Sequence, residues 1–524
     1  MRLEADIAIV GSGFAGSLTA LALCRLGRSV VLLERSRHPR FAIGESSTPL
    51  ANLLLEQLCD RYGLDPVRPL TKFGTWQRTY PQMACGLKRG FSFYRHTPGQ
   101  LFADDLRHDR QLLVAASPHD EISDMHWYRP EFDAFLVTCA RDAGATYVDE
   151  TAIGRMEQAE AGVLLTGTRQ GQPITVAADF VIDASGPRGF LHRTLGLDEA
   201  PLQWLPPTQT LYAHFSDVQL WRHVWSDAAD DQPPFPVDAA ALHHVFPGGW
   251  IWVLRFNNGL TSAGAALTDE AAAAVQLSDG AEAWRRLLDR VPSVGAQFAR
   301  SKAVTPFTYA PRLAYRSREI VGRRWAMLPS AAGVIDPLLS TGFPLTLLGI
   351  HRLVESLEHH WGRPELAMAL GEYAQATERE LDATEQLVAA LYASMADFEL
   401  FKRLTLLYFA AASFSETARR LGREERAAGF LLCDVPAFAS EVRACALSAI
   451  SRPGGSERTA LVDRIDRAIE PFDVAGLGDR ERRDWYPVRA DDLMQAASRF
   501  GATPGELHAL LERCGFAEPI VDWK

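Results

Sequence analysis

Three glycines near the start of the chain have the spacing that lets a backbone turn hold a phosphate group. Gly11, Gly13 and Gly16 form a Gly-x-Gly-x-x-Gly sequence, and Glu34 follows about twenty residues later. Gly11 permits a tight turn, Gly13 lets backbone amides approach a pyrophosphate, and Gly16 lets a helix pack closely on a strand. The Glu34 carboxylate can accept hydrogen bonds from ribose hydroxyls. The pattern predicts a dinucleotide site.

The residues around these glycines predict the βαβ unit that such a site requires. Residues 5–10 are an apolar run typical of a buried strand, residues 17–27 have a helical pattern, and residues 29–33 predict a second strand. The helix N-terminus would present about half a positive charge to the phosphates. The unit alone does not distinguish FAD from NAD, although its place at the start of the chain favours FAD. The expected nucleotide-binding residues are Gly11, Ser12, Gly13, Phe14, Ala15, Gly16, Glu34 and Arg35.

The composition narrows the class of protein. The chain has 524 residues, 47% of them hydrophobic, and a net charge of −11 without a dense Lys/Arg run, which argues against nucleic acid or an anionic membrane as partner. Seven scattered cysteines without a CxxC pair predict free thiols and no metal site. No apolar run reaches the roughly 18 residues of a membrane span. A strand in the first ten residues leaves no room for a cleavable signal, so we expect a cytoplasmic protein.

Four further segments stand in order along the chain. They are residues 40–49 (RFAIGESSTP), 127–133 (WYRPEFD), 183–186 (DASG) and 331–342 (AAGVIDPLLSTG). Together they resemble the GES-T-P, R-x-x-F-D, D-x-S-G and A-A-G-x-x-D-P-x-x-S-x-G motifs of the flavin-dependent halogenases, a tryptophan-halogenase-like group within the single-Rossmann FAD monooxygenase superfamily. The similarity runs over residues 5–410.

The resemblance implies an α/β fold. Its parts would be a Rossmann-type FAD-binding domain, like that of glutathione reductase and hydroxybenzoate hydroxylase, an inserted β-sheet substrate domain, and a C-terminal helical region. The expected ranges are 1–70, 105–204 and 316–350 for the FAD domain, 71–104 and 205–315 for the substrate sheet, and 351–524 for the helical region.

The resemblance also implies positions around FAD. The first segment would lie against the flavin, Arg129 near the cofactor, and the D-x-S-G turn beneath it. The implied cofactor residues are Gly44, Glu45, Ser46, Arg129, Asp183, Gly186, Ser330, Asp336 and Pro337. Backbone amides of Thr341 and Gly342, at the start of a predicted helix, would hold a halide. Alternatively, these two residues only cap the helix and bind flavin.

Lys88 stands where this family has a catalytic lysine in a K-x-G-x-x-F segment. Free hypohalous acid is indiscriminate, so an amine in an apolar channel would have to capture or orient it. Burial lowers the pKa of a lysine and can make the amine a nucleophile. Alternatively, Lys88 is a solvated residue at a strand edge next to Arg89. Phe91 and Phe93, which follow on the same strand, are expected to face the substrate.

A second aromatic segment bears on the reaction type. Trp250 and Trp252 match two tryptophans of a halogenase W-x-W-x-I-P sequence, but Leu254 and Arg255 replace Ile-Pro. Alternation places both tryptophans on one face as an apolar wall of the cavity. Two such tryptophans fit a hydroxylase equally well.

Two departures from the family pattern affect the cofactor and the substrate. Pro329-Ser330 replaces a Gly-Asp pair whose acid contacts the ribityl chain, which would weaken FAD binding by about 1–3 kcal/mol. Leu339 stands where indole-acting halogenases have a glutamate, so free tryptophan is not the expected substrate.

The remaining segments predict structure more than chemistry. The aromatic-rich residues 205–315 would roof the site, with residues 227–241 as an exposed loop. The apolar stripe of residues 400–411 predicts core helix, and by resemblance such C-terminal helices cover the substrate cavity. Residues 450–524 show no identifiable chemistry, and residues 451–459 predict an exposed turn.

The resemblance implies an FADH2- and O2-dependent halogenase that acts on an electron-rich aromatic substrate through a flavin C4a-hydroperoxide and hypohalous acid. No second nicotinamide fingerprint is visible, so a separate flavin reductase would supply reduced FAD as a cosubstrate. Halide, O2 and a small-molecule, carrier-borne or peptide-borne aromatic are the other expected partners. Two alternatives stay open. One is a monooxygenase that hydroxylates such a ring, including one on a peptide or protein; the other is a non-catalytic flavin-binding protein, motivated by Pro329-Ser330.

Overall fold

A computed structural model describes residues 1–160, 162–225 and 232–516. Its strands are β1 Arg2–Val10, β2 Val30–Leu33, β3 Cys85–Lys88, β4 Gly90–Arg95, β5 Gln111–Ala115, β6 Asp124–Trp127, β7 Thr146–Val148, β8 Thr151–Gln158, β9 Val163–Arg169, β10 Gln172–Asp183, β11 Thr208–Ser216, β12 Ala241–Phe246, β13 Gly249–Arg255, β14 Thr261–Thr268, β15 Lys302–Ala303, β16 Thr308–Ala310, β17 Tyr315–Arg316, β18 Val321–Gly322, β19 Trp325–Met327, β20 Gly333–Val334 and β21 Trp485–Tyr486. Its helices are α1 Phe14–Arg25, α2 Pro49–Tyr62, α3 Phe73–Thr79, α4 Arg129–Asp142, α5 Phe190–Leu195, α6 Asp269–Val275, α7 Ala281–Arg290, α8 Pro292–Gln297, α9 Pro329–Ala332, α10 Gly342–His360, α11 Leu366–Ser394, α12 Phe398–Arg420, α13 Pro436–Ile450, α14 Gly455–Ile469, α15 Ala490–Gln495 and α16 Pro504–Arg513.

The first sheet is the Rossmann sheet that the glycine motif predicts. Its strand order is β18-β19-β10-β1-β2-β7, and β19, β10, β1, β2 and β7 run parallel. Every residue of β2 is buried, as expected of a strand covered on both faces. Because β1 leads into α1 and then into β2, the glycine turn lies at the carboxyl ends of the central strands, where nucleotides bind in such sheets. The expected α/β fold with a Rossmann-type sheet is confirmed.

The second sheet collects segments that lie far apart in the chain. Its order is β15-β11-β14-β13-β12-β4-β5-β21, with parallel pairing only between β12 and β4 and between β5 and β21. β5 belongs to this sheet because it pairs with β4, although its residues fall within the 105–204 range expected for the FAD domain. The C-terminal region likewise contributes β21 to the sheet.

Long C-terminal helices cover both halves of the molecule. His351 on α10 hydrogen-bonds the carbonyl of Leu54 on α2 at 2.7 Å, and Phe409 on α12 packs edge-on against Phe91 on β4 at 5.0 Å. The expected core helix is thus α12, but it is buried on nearly every side rather than along one stripe. Residues 451–454 form the expected turn, whereas residues from Gly455 already belong to α14.

The connection between β11 and β12 differs from the exposed loop that its composition predicts. Residues 227–231 lie outside the described residues. In the described remainder, Phe235, Val237 and Ala240 are buried, and Phe235 packs where Gly90 of β4 leaves room. The sequence pattern failed here because isolated apolar residues in a Pro-rich segment do not reveal that they pack on a neighbouring strand. Within the described ranges, no helix has both the length and the apolar character needed to cross a membrane.

Candidate active site

The glycine turn is shaped by close backbone contacts. Gly11 has φ +103°, and a Cβ atom there would lie 2.5 Å from the carbonyl oxygen of Ala184. A Cβ atom on Gly16 would overlap the carbonyl oxygen of Gly11. Gly13 is different, because side chains surround its Cβ position: the guanidinium groups of Arg129 and Arg40 lie 3.4 and 3.7 Å away, and the carboxylate of Asp133 lies 3.7 Å away. The turn therefore lies beside two guanidinium groups, each of which is paired with a carboxylate.

Replacing Gly11 by alanine is expected to destabilise the protein and prevent FAD binding. Gly27 is a matched control, because it also has a positive φ (+77°) but has no atom within 4 Å of its Cβ position. Both substitutions force alanine into a left-handed conformation, costing about 1–2 kcal/mol. Gly11→Ala adds the clash with Ala184, and we expect about 1–3 kcal/mol more. Urea denaturation and bound FAD per chain measure the two effects. Equal losses in both variants would contradict the packing role of Gly11.

Glu34 lies where β2 ends and faces the glycine turn. Its carboxylate accepts hydrogen bonds from the backbone N–H and hydroxyl of Ser12 at 3.1 and 3.0 Å, and from Arg40 at 3.0 Å. Burial opposes its charge, but Arg40 and the hydrogen bonds from Ser36 and Ser12 hold the pKa of Glu34 below its ordinary value. Glu34 is therefore the charged carboxylate that would accept hydrogen bonds from ribose hydroxyls. Arg35 is exposed, one residue beyond it.

Arg129 joins three of the predicted cofactor segments. It forms a bidentate ion pair with Asp133, at 2.7 and 2.8 Å, and donates to the carbonyls of Ile43 and Gly44 at 3.1 and 2.9 Å. The same guanidinium lies beside Gly13. One side chain thus fixes the loop before α2 against the glycine turn and α4.

The two segments expected to enclose the flavin lie next to each other. Gly44 has φ +90°, and its Cβ position is 4.0 Å from the ring of Phe343, at the start of α10. Glu45 points away toward the second sheet, where its carboxylate is 2.8 Å from the imidazole of His214. The loop of residues 44–49 therefore links the start of α10 to the second sheet.

The Asp183 carboxylate stabilises the turn that follows it in the chain. Its carboxylate accepts hydrogen bonds from the N–H and hydroxyl of Ser185, at 2.8 and 2.6 Å, and from the N–H of Leu191 at 2.6 Å. Burial raises the pKa of this carboxyl group. Gly186 next to it has φ +87° and no atom within 4 Å of its Cβ position, so the turn opens onto free space.

Strained backbone precedes α10. Leu339 and Ser340 have φ values of +66° and +57°, which cost about 1–3 kcal/mol each and tend to occur at functional sites. Thr341 is buried, whereas Gly342 is exposed, with no atom within 4 Å of its Cβ position. The start of α10 therefore borders open space at Gly342. Ser330 and Pro337 are half-buried nearby in the chain.

Asp336 is held between this strained turn and the second sheet. Its carboxylate accepts hydrogen bonds from the N–H of Leu338 and the hydroxyl of Tyr392, both at 2.9 Å. Tyr392 in turn accepts a hydrogen bond from the indole of Trp250 at 3.2 Å. Burial raises the pKa of Asp336 to about 7. Two hydrogen bonds thus link Trp250 to Asp336 through Tyr392.

These features fit FAD. The crevice lies at the carboxyl ends of the parallel strands, two guanidinium groups flank Gly13, and free space adjoins Gly186 and Gly342. Buried polar atoms without a partner among the described residues, such as Arg40 Nε and His38 Nδ1, belong to side chains that lie beside the glycine turn. A dinucleotide would supply the missing phosphate and hydroxyl partners.

The amine of Lys88 is completely buried in a wall between this crevice and the second sheet. It donates hydrogen bonds to the hydroxyl of Ser46, at 3.0 Å, and to the carbonyl of Ser47. On its other side the ammonium lies 3.7 Å from the centre of the Phe91 ring. Burial lowers the pKa of Lys88, and the carboxylate of Asp124 opposes this shift. Lys88 therefore touches the loop of residues 44–49 and the ring of Phe91 at once.

A cavity of about 210 Å³ lies on the Phe91 side of this wall. Its inner end is formed by Thr48, Asn52, Phe91, Asp124, Tyr408 and Phe409. Its outer part is covered by Val474, Ala475, Leu477, Val488, Arg489, Leu493, Leu510, Leu511, Cys514 and Phe516.

Four residues were expected to line the substrate cavity: Phe91, Phe93, Trp250 and Trp252. One of them lines the cavity described above. Phe91 lines it, whereas Phe93, Trp250 and Trp252 are buried deeper; Phe93 stacks on His243 at 4.4 Å. Asp124 was not a candidate from sequence, and neither were the cover residues after 470. A lone aspartate before a short strand gives no signal, because its position opposite Lys88 depends on the pairing of β3 with β6.

Comparisons with known proteins agree with this geometry. Residues 118–400 match the tryptophan halogenase family, and residues 9–49 match NAD(P)-binding Rossmann-like domains. The monodechloroaminopyrrolnitrin halogenase PrnC of Pseudomonas fluorescens is 32% identical over 414 residues, 76% of this chain and 69% of the relative. The tetracycline 7-halogenase of Kitasatospora aureofaciens is 28% identical over 417 residues, 78% of this chain and 73% of the relative.

A solved structure extends the similarity over the whole fold. The halogenase PltM, crystallised with phloroglucinol and FAD, is 25% identical and superposes with a TM-score of 0.79, covering 91% of this chain and 99% of PltM. The expected halogenase resemblance, the FAD cofactor and the assignment as an enzyme are confirmed. This chain belongs to the tryptophan halogenase family of flavin-dependent halogenases.

Proposed function

We propose that the enzyme halogenates a small electron-rich aromatic ring, with Lys88 delivering the halogen. The observation that carries the proposal is the place of the Lys88 amine, fully buried between the Ser46–Ser47 backbone and the Phe91 ring. An oxidant formed at the flavin would have to pass this wall before it reaches the cavity. An amine there can hold a hypohalous acid molecule by hydrogen bonding and orient it toward the ring.

Reduced FAD, O2 and halide would together supply that hypohalous acid. The chain's own part is to keep water out and hold the reactants. Arg129, Arg40 and the amides after Gly11 would bind the phosphates, and the amides of Thr341 and Gly342 would hold the halide at the start of α10. The strained backbone at Leu339 and Ser340 immediately precedes those amides, as is common at functional sites. Asp183 would shape the turn beneath the cofactor.

The cavity supports a small substrate. Its volume of about 210 Å³ suits a molecule of one or two rings rather than a large polycyclic one. Phe91, Tyr408 and Phe409 offer apolar faces, while Asn52 and Asp124 offer polar contacts. Leu339, where indole-acting relatives have a glutamate, is completely buried and cannot supply a carboxylate. A phenol or aminophenyl ring therefore fits better than free tryptophan.

We further propose that a separate flavin reductase supplies FADH2. The half-buried Ser330 makes no hydrogen bond to another described side chain, and it replaces the acid that holds the ribityl chain in the family pattern. Weaker retention of FAD would let the cofactor exchange with a reductase.

Bromination in the presence of a reductase tests this function. Purified enzyme would be incubated with a flavin reductase, NADH, FAD, O2 and bromide, with phloroglucinol, 3-aminophenol or indole as probe. We expect monobrominated products from the first two rings, detected by mass spectrometry, and none without enzyme. Hydroxylated products would instead show a monooxygenase. Flavin-bound protein that never consumes O2 would show a non-catalytic flavoprotein.

A further inference from the structure

Asp124 lies directly opposite Lys88 in a two-stranded ribbon. Lys88 ends β3 and Asp124 begins β6, and the two are paired in the antiparallel register. Directly opposite residues in such a pair project from the same face. The Asp124 carboxyl and the Lys88 ammonium therefore belong to the same side of the ribbon, although they are too far apart for a direct ion pair.

The carboxyl group of Asp124 has one oxygen fixed and one without a partner. Oδ1 accepts a hydrogen bond from the side-chain amide of Asn52 at 2.8 Å. Oδ2 is buried and makes no hydrogen bond within the described part of the chain. Asp124 also lines the inner end of the cavity, next to Phe91. A buried acceptor without a partner, beside a cavity, indicates that a donor arrives with the ligand.

The other carboxylate on this cavity is already neutralised. Glu416 accepts a hydrogen bond from Arg420 at 2.8 Å on the same helix. In the described ranges, Asp124 is thus the cavity carboxyl that is close to Lys88 and retains a free acceptor atom.

The surroundings of the pair favour proton transfer at this site. Burial raises the pKa of Asp124, while Lys88 lowers it. Burial also lowers the pKa values of His126 and His243 to about 3, so these neighbours stay neutral. The polar and titratable groups that face the pair from the surrounding elements are Asn52 on α2, His126 on β6, His243 on β12, and Tyr408, Glu416 and Arg420 on α12.

We infer that Asp124 is a catalytic residue that accepts the proton of a hydroxyl or amino group on the substrate ring. The inference rests on the proposed function. As that proton moves to Asp124 Oδ2, the ring carbon ortho or para to the substituent attacks the halogen of hypohalous acid. The carbon–halogen bond forms, the oxygen–halogen bond breaks, and the Lys88 ammonium gives its proton to the departing hydroxide to make water.

The proton balance then closes within the pair. The water released at Lys88 carries the proton that Asp124 received to the neutral Lys88 amine, so both groups return to their starting state. The halogenated ring still carries a hydrogen on the substituted carbon, and it regains aromaticity when that hydrogen moves, as a proton, to the ring oxygen or nitrogen. The halogen is reduced and the ring carbon is oxidised by the same electron pair.

The test compares Asp124→Asn with Glu416→Gln on two bromination probes. Resorcinol carries ring hydroxyls, and 1,3-dimethoxybenzene lacks them. Asparagine preserves the shape and the hydrogen bond to Asn52 but cannot take a proton. In Asp124→Asn we expect bromination of resorcinol to fall by about 100-fold, the lower range for loss of a general base, with less than a threefold change for the ether. Glu416→Gln should leave the ratio of the two rates unchanged.

The pH profile gives a second readout. The acceptor must be deprotonated, so resorcinol bromination should rise with pH through the pKa of Asp124, which burial places above the ordinary carboxyl range. This rise of the resorcinol bromination rate with pH should be absent in Asp124→Asn. Equal losses on both probes would show that Asp124 acts only through Lys88, and an unchanged resorcinol rate would show no role; either result overturns the inference.

A binding measurement separates failure of this inference from failure of the proposed function. Wild-type enzyme that brominates neither probe would contradict the proposed function. Binding of resorcinol, followed by tryptophan fluorescence, still decides the role of Asp124 in that case. We expect about tenfold weaker binding of resorcinol in Asp124→Asn and no change for the ether. Equal resorcinol binding in wild type and variant would overturn the inference.

Discussion

Replacing Lys88 by methionine is expected to abolish halogenation, with a loss of at least about 1,000-fold in kcat, while oxidation of FADH2 by O2 continues. Methionine fills nearly the volume of the lysine stem, so the wall between crevice and cavity stays packed. What is lost is the ammonium that is fixed by Ser46 and Ser47 and lies against Phe91. Brominated product and released peroxide, measured in the same reaction, distinguish transfer from oxidant formation.

Lys302→Met is the matched control for Lys88→Met. Lys302 is exposed on β15, at the far edge of the second sheet. The Lys302→Met variant should brominate the probe at the wild-type rate. Unchanged bromination in Lys88→Met would rule out a role for Lys88. A joint loss of peroxide release and bromination would show that the substitution disturbs the flavin side instead.

Replacing Lys402 by methionine is expected to release the C-terminal cover of the cavity. The Lys402 amine is buried and forms ion pairs with Asp484 and, at 3.0 Å, with Glu399; Arg403 also lies 3.5 Å from Asp484. Removing Lys402 leaves the buried Asp484 carboxylate with only the more distant Arg403, and loss of one partner of a buried ion pair costs up to about 3–5 kcal/mol. Asp484 directly precedes β21, and its backbone carbonyl accepts a hydrogen bond from the N–H of Leu113 on β5. Loss of the ion pair at the Asp484 side chain should therefore loosen the attachment of the cover to the second sheet.

Urea denaturation and limited proteolysis measure this effect. We expect cleavage within residues 474–516 and a strong fall in bromination, because an open cavity admits water. Arg458→Met is the control, since its ion pair with Asp397 is partly exposed and worth at most about 1 kcal/mol. Lys402→Met/Asp484→Leu should recover part of the lost stability, because the double variant no longer buries a carboxylate that has lost its nearest cation. If Lys402→Met is no less stable than Arg458→Met, the ion pair does not hold the cover.

The Rossmann half of the fold was predictable because its signals are local. Residues 5–34 contain strand, turn, helix and second strand in one continuous segment, and the structure has β1, α1 and β2 there. The D-x-S-G turn likewise follows directly from the end of β10. The second sheet was predicted only as a region, because its partners come from distant segments. Neither the parallel pairing of β4 with β12 nor the addition of β21 leaves a mark on the sequence of either strand.

The candidate site was likewise predictable where its signals are local and not where it depends on contacts between distant segments. The resemblance led to the loop of residues 44–49 and to the start of α10, and the structure brings the two together at Gly44 and Phe343. The roles of the individual cofactor, halide and substrate residues stay predictions. Asp124 was missed because only the β3–β6 register places it beside Lys88. Trp250 and Trp252 were placed correctly on one face, but that face contacts Tyr392 and the core rather than the cavity.

The way the second sheet is assembled has a consequence for how the protein reaches its native state. Ser92 pairs with Leu242, and Leu113 pairs with Trp485, so neighbouring strands come from opposite ends of long chain loops. Closing such loops costs entropy before any contact repays it, and folding rates fall as the sequence separation of contacts rises. Refolding from denaturant should therefore be slow, with the edge of β5 open to intermolecular pairing until β21 arrives, and low temperature and dilute protein should improve its yield.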